Sequence, residues 1–197
     1  HGSKWLVNGE EYDAVILACA ASVTSFSALS WLPVYTVRGQ LSLTAATPQS
    51  RRLKTNLCFG GYITPGLNGS HVIGSTFQKW LTDTGLRDED NEQNTTKLED
   101  AVPALAGELK VTGARAALRT ASQDRFPVIG QVPDKEAWAS GERQFLDGLY
   151  VSTGHGSHGI ISSLAGAHLL AEVRIHRLGA AAHRVERQLV PDGELAQ

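Results

Sequence analysis

The sequence predicts a mixed α+β (α/β) fold, and three observations predict it. A nearly pure apolar run, "YDAVILACA", stands near the start, and a second strand-like run, "LYVST", stands around residue 150. Between them the chain alternates apolar and polar residues and is punctuated by Asn-Gly pairs, as antiparallel strands are. One long helix-like segment, "IISSLAGAHLLAEV", follows Thr153. The formal charge of −2 over 197 residues fits a globular domain, and no apolar run approaches the roughly 18 residues that a membrane helix needs.

Taken in order, Trp5-Leu6-Val7 and the residues from Tyr12 flank Asn8-Gly9, a hairpin-turn signal. The apolar run from Tyr12 to Ala20 reads as a strand buried on both faces. A short helix or turn is expected over Ser22–Ser30. "LPVYTVRGQLSLTAA" alternates as a strand, with Pro33 at its start, where proline is tolerated. "NLCFGGYITPGLNGSHVIGSTF" predicts two strands joined at Leu67-Asn68-Gly69. The acidic "DTGLRDEDNEQNTTKLEDAVPAL" predicts a loop leading into a surface helix that ends near Pro103. "ELKVTGARAALRTAS" gives one or two strands, "FPVIGQVPD" a strand, "EAWASGERQFLDG" a polar excursion and "LYVSTG" a strand. A helix is expected from about Ser157 to His176; its apolar circumference predicts burial. Residues from Leu178 onward show no clear pattern, and those from Pro191 onward read as a loose end.

The chain begins at His1 and contains no methionine, so it reads as a piece of a longer protein. Cys19 and Cys58 stand apart in apolar surroundings. This predicts buried thiols in a reducing, cytoplasmic compartment, with a disulfide between them left open.

Gly154-His155-Gly156-Ser157-His158-Gly159 spells G-x-G-x-x-G between a strand and a helix. The dinucleotide fingerprint also needs a following strand that ends in Asp or Glu, and "RLGAAAHRVERQLVPDGELAQ" supplies none. Two readings stay open: a glycine turn with no ligand, or a turn that faces a cofactor ring. Glycines allow close backbone approach, and the first turn of a helix offers free N–H groups to an electron-rich group. The histidines show no metal-ligand spacing beyond His155-x-x-His158, which lies in a loop, so no metal is expected.

"GLYVSTGHGSHGIISSLAGAHLLAE" and "ALRTASQDRFPVIGQVPD" resemble the C-terminal flavin-binding blocks of the D-amino-acid-oxidase-like FAD oxidoreductases. "YDAVILACAAS" is similar to the strand that ends beside FAD there, and "VRGQLSL" to the strand that opens the substrate domain. Together with "LCFGGYITP", "HVIGSTFQ" and "DTGLRDEDNEQN", these blocks more narrowly resemble the oxidase domain of the bifunctional tRNA 5-methylaminomethyl-2-thiouridine biosynthesis (MnmC-type) proteins, in the family's order from about Tyr12 to Val173. The family's N-terminal FAD motif and its methyltransferase domain are absent from the sequence. Cys19-Ala20-Ala21 stands where a glycine is usual, and His158 where the related enzymes have Arg.

The resemblance implies an FAD-dependent oxidoreductase that removes a carboxymethyl group from carboxymethylaminomethyl-uridine at the tRNA wobble position. The amine is oxidised by hydride transfer to the flavin, and water then hydrolyses the imine. It implies a partial FAD-binding domain over 1–32, a substrate domain with a mixed or antiparallel sheet over 33–127, the rest of the FAD-binding domain over 128–178 and a tail over 179–197. The cofactor-facing turn would comprise Thr153, Gly154, His155, Gly156, Ser157, His158, Gly159 and Ile160, and FAD would be held by the full-length protein. Arg119 would clamp the substrate carboxylate and Tyr62 would line the pocket; each has a plain structural alternative, a surface Arg or a core Tyr. Arg38 is expected either near the flavin or at a strand end. A basic cluster, Arg174, His176, Arg177, His183, Arg184 and Arg187, is a candidate for RNA phosphates or for a solvated helix end. Two other functions stay open: a glycine- or sarcosine-type small-molecule amine oxidase, and a non-catalytic domain without cofactor. The isolated chain is expected to be inactive.

Overall fold

Asn8 and Gly9 both sit at positive φ (52° and 87°), the backbone of a type I′ turn, and they fold β1 (Trp5–Val7) onto β2 (Glu10–Tyr12). The computed structural model describes residues 4–178. The chain continues through β3 (Val15–Leu17), 3₁₀ turns over Ala20–Ser25 and Ser27–Leu29, β4 (Val34–Ala45) and a 3₁₀ turn at Ser50–Arg52. Next come β5 (Leu57–Phe59), β6 (Gly61–Ile63), β7 (Ser70–Gly74), β8 (Gln78–Lys79), α1 (Asp88–Ala101) and α2 (Pro103–Ala106). Then follow β9 (Val111–Ser122), β10 (Val128–Pro133), α3 (Lys135–Ala139), β11 (Phe145–Thr153) and α4 (Gly159–Leu178). These elements form two compact units. One uses the chain up to Tyr35 and again from Arg119; the other uses Thr36 to Leu118.

The first unit carries a three-stranded sheet in the order β10-β11-β3. β11 runs antiparallel to β10 and parallel to β3, with Leu149 opposite Val15 and Val151 opposite Leu17. Alternation divides the side chains between two faces. Val128, Val132, Leu149 and Val151 pack with Val23, Leu29, Trp31 and Leu32 on one. Ile129 and Tyr150 meet Leu170 of α4 on the other. Each fully buried aliphatic side chain contributes about 1.5–3 kcal/mol. Gly166 lets α4 sit close to the sheet, since a Cβ there would come within 2.7 Å of Ile129 Cδ1.

Two burial expectations fail here. β3 is an edge strand with Ile16 exposed, not a strand buried on both faces. On α4, Gly166 and Leu170 are buried, while Ile160, Ile161 and Leu164 remain 88%, 77% and 72% exposed. The physical reason is width: a helix packed on one face of a three-stranded sheet buries one stripe, whatever the rest of its circumference is made of.

The second unit is antiparallel, in the order β5-β6-β7-β4-β8, with β9 also paired to β4. Asn68 and Gly69 (φ 50° and 80°) make the expected turn before β7. The expected first strand instead folds at Gly60 into β5 and β6. The cysteine expectation fails too: both thiols are free and exposed. Cys58 alternates with Leu57 and Phe59, which pack against the core of Ile63, Ile73, Leu98 and Ala106, so its own side chain points outward. Cys19 lies beyond the last residue of β3.

The helix foreseen in the acidic segment is α1, and it is more than a surface helix. Asp90, Asn94 and Leu98, spaced four apart, form a buried stripe. Opposite them β4 presents Arg38, Gln40, Ser42 and Thr44, all buried. Gln40 Nε2 donates to Arg87 O (2.7 Å), Ser42 Oγ to Asn91 Oδ1 (2.8 Å) and Asn94 Nδ2 to Gln40 O (3.0 Å).

Candidate functional site

In the first unit β3 and β11 run parallel and end side by side. The carboxyl ends of parallel strands are where open α/β sheets bind ligands. Thr153, the last residue of β11, donates from Oγ1 to Ala20 O (2.8 Å) and ties the two exits together. Beyond it Gly154 and Gly156 take left-handed φ of 70° and 56°, which a Cβ would strain. Gly156 N–H donates to Thr120 O (2.7 Å), and His155 bridges Ala121, so the last residues of β9 form the turn's floor. A cavity of about 210 Å³ opens here, lined by Ala18, Ala20, Thr120, Ser152–Gly156 and Ser163.

His155 clamps this turn between a strand and a helix. Its Nδ1 lies 2.9 Å from Ser162 Oγ and its Nε2 3.0 Å from Ser152 Oγ. Ser162 Oγ donates its proton to His158 O (2.9 Å), so it accepts from His155 Nδ1–H. The neutral ring then has a bare Nε2, which accepts from Ser152 Oγ–H. The chain of donors runs Ser152 to His155 to Ser162 to the His158 carbonyl. Burial pushes the His155 pKa below the usual histidine value, in keeping with this neutral tautomer.

Of the residues expected at the turn, Thr153, Gly154, His155 and Gly156 wall the cavity. Ser157 and His158 are exposed, with Ser157 Oγ 3.4 Å from His158 Nδ1; Gly159 opens α4, and Ile160 faces outward. Arg119, half-buried on β9, precedes the cavity residue Thr120 in the first unit. Tyr62, half-buried on β6 of the second unit, pairs with Cys58 and Gly74 and alternates with the core residue Ile63. Arg38 caps no strand end. It is buried in mid-β4, where its guanidinium pairs with Asp90 and donates to Gln78 Oε1 (2.7 Å), Gln40 Oε1 (3.1 Å) and the Gly85 carbonyl. The side chains of the basic cluster from Arg174 to Arg187 lie outside the described residues, as does the tail over 179–197.

Sequence reasoning missed Ser152, Ser162 and Thr120. The hydroxyls three residues before and seven after His155 are the signal that was available. At the position where a glycine is usual, the structure adds the conformation: Ala20 holds φ 54°, a left-handed backbone in which glycine is favoured.

The family model described as FAD dependent oxidoreductase (DAO) matches residues 1–173. The chain belongs to the FAD dependent oxidoreductase family. It is 36% identical to the tRNA 5-methylaminomethyl-2-thiouridine biosynthesis bifunctional protein MnmC of Stutzerimonas stutzeri, over 87% of this chain and 30% of that protein. The chain therefore spans about a third of such relatives. Among solved structures, glycine oxidase from Bacillus cereus matches at TM-score 0.67 and 25% identity, covering 90% of this chain and 46% of that one. Glycine oxidase from Geobacillus kaustophilus matches at TM-score 0.72 and 22% identity, over 94% and 48%. The antiparallel and mixed sheets are those of this fold family.

The family's cofactor is FAD, and the turn fits a portion of it. A Cβ on Gly156 would meet nothing within 4 Å, so the backbone there faces open space at the cavity. The volume of about 210 Å³ is below the roughly 300–1,000 Å³ of a complete ligand pocket. The cavity has room for one part of a cofactor, not for a whole dinucleotide.

Proposed function

We propose that this chain is part of an FAD-dependent oxidoreductase that acts on the CH–NH bond of a carboxymethylaminomethyl group on the tRNA wobble uridine. The observation that carries the reading is the 36% identity to MnmC of Stutzerimonas stutzeri over 87% of the chain. Residues 1–32 and 128–178 would belong to the FAD-binding domain and 33–127 to the substrate domain.

Thr153, Gly154, His155 and Gly156 would hold the cofactor by its edge, with Ser157, His158, Gly159 and Ile160 carrying the turn into α4. The His155 clamp fixes the backbone of that turn, and left-handed glycines leave room for a flat ring. When bound, FAD supplies the acceptor for an electron pair from the substrate's carbon–nitrogen unit. Arg119 would grip the substrate carboxylate through its planar fork, and Tyr62 would wall the pocket. Loss of a hydride from the carbon and a proton from the nitrogen leaves an imine. Water adds to its carbon and the carbon–nitrogen bond breaks, giving aminomethyl-uridine and a two-carbon aldehyde acid. Because its cavity takes only part of a cofactor, the isolated chain is expected to bind FAD weakly and to be inactive.

Deleting the gene that carries this chain tests the reading: carboxymethylaminomethyl-uridine should accumulate in digested tRNA, and an unchanged nucleoside profile refutes it. The likeness to Bacillus cereus glycine oxidase favours a second reading, oxidation of a free amino acid. Peroxide release from glycine or sarcosine, without any change in tRNA, would replace the first reading with the second.

A further inference from the structure

The 3₁₀ turn at Ser50–Arg52 in the second unit presents Arg51, Arg52 and, two residues on, Lys54, all exposed. Among the described residues these three cations take part in no ion pair, whereas Lys4, Arg38 and Arg87 each pair with an aspartate. Sequence context sharpens the contrast. No Asp or Glu occurs from Ala14 to Thr82, while Lys97, Lys110, Arg125 and Lys135 each have a carboxylate within two residues. Three like charges in four residues repel one another unless an anion stands against them.

The turn that carries them is firmly held. Thr47 N–H donates to Ser50 Oγ (2.8 Å), and Ser50 N–H donates back to Thr47 Oγ1 (3.1 Å). Behind it lies His71, fully buried on β7. His71 Nδ1 is 2.8 Å from Thr64 O, which can only accept, so Nδ1 carries the proton. The other ring nitrogen, Nε2, lies 2.8 Å from Ser50 Oγ and pins the turn to the sheet. A cation near the end of a turn commonly serves its last carbonyls. Lys54 Nζ, 3.4 Å from Arg51 O, does so, but this accounts for neither arginine.

We infer that Arg51, Arg52 and Lys54 form a rigid contact for the phosphate backbone of tRNA. The inference rests on the tRNA reading above. Guanidinium forks bind phosphate oxygens in two-point fashion, and a polyanion relieves the repulsion that the turn otherwise bears. Contacts of this kind position the nucleic acid without reading its sequence.

The test uses the whole protein that carries this chain and measures tRNA affinity by filter binding between 50 and 200 mM salt. Arg51→Gln/Arg52→Gln/Lys54→Gln should weaken binding on the order of tenfold or more at the lower salt and reduce the log–log salt slope by about 2 to 3. Lys97→Gln/Lys135→Gln, which removes charge elsewhere, should leave affinity within about twofold, as expected of surface cations that touch no phosphate. An unchanged thermal midpoint in the triple variant shows that the turn still folds. Wild-type binding that the triple variant matches in affinity and slope overturns the inference and leaves the tRNA reading standing. No tRNA binding by the wild type overturns both.

Discussion

Replacing Ala20 with glycine should stabilise the protein, although glycine normally destabilises. Ala20 holds φ 54°, and a left-handed backbone costs an L-residue about 1–2 kcal/mol. Its side chain is exposed, so deleting the methyl removes little packing. The Thr153 Oγ1 hydrogen bond goes to the Ala20 carbonyl and survives the change. Against the relief stands glycine's extra freedom in the unfolded chain, about 0.4–1 kcal/mol. The difference is a gain of up to about 1.6 kcal/mol, and about 0.8 kcal/mol at the middle of both ranges. For a chain of this size 1 kcal/mol moves the melting point by about 2–4 °C, so Ala20→Gly should melt about 1–4 °C higher. Circular-dichroism melts of the two proteins decide the matter. Thr153→Val serves as the opposing control, losing about 1 kcal/mol with its hydrogen bond. If Ala20→Gly melts lower than the wild type, the left-handed strain assigned to this exit is wrong.

Two further predictions follow the same reasoning. Asp90→Ala should cost up to about 3–5 kcal/mol, because it leaves the buried Arg38 with only the half-exposed Asp83 carboxylate, 3.5 Å from its Nε, while Arg38→Met/Asp90→Leu should cost much less; urea denaturation of both distinguishes a buried ion pair from ordinary packing. Burial lowers the folded pKa of His155, so as the pH falls below the ordinary value of 6.5 the unfolded chain takes up the proton first. The stability due to the neutral ring is complete above that pH, is lost as pH falls toward the folded pKa, and changes no further below it. The side chains hydrogen-bonded to the ring are the Ser152 and Ser162 hydroxyls, which carry no charge to oppose this. The wild type should therefore lose more melting temperature between pH 8 and pH 5 than His155→Gln does; equal losses would refute the neutral clamp.

Local signals in the sequence account for much of this fold. Asn8-Gly9 and Asn68-Gly69 encode their turns because both need left-handed φ, which those residues supply. The strand–glycine–helix path through Thr153 and Gly159 was visible for the same reason. The partnership of β3 with β11 was not, since the pairing of Val15 with Leu149 joins distant segments and leaves no local pattern. The alternation in "VRGQLSLT" revealed two faces of β4 but not which one turns inward. Only the complementary Asp90, Asn91 and Asn94 on α1 make the polar face the buried one. The glycine motif is legible as a strand-to-helix turn, but its hydroxyl clamp is not, because Ser152 and Ser162 become neighbours of His155 only when β11 and α4 converge.

The central claim, an FAD-dependent oxidoreductase acting on modified tRNA, is tested most directly by anaerobic mixing. The whole protein carrying this chain is mixed with tRNA that bears carboxymethylaminomethyl-uridine while its visible flavin band is followed. The account predicts that the band bleaches, that aminomethyl-uridine appears in the digested tRNA, and that free glycine leaves the band intact. A colourless protein, or a band that bleaches with glycine and not with the tRNA, would contradict it.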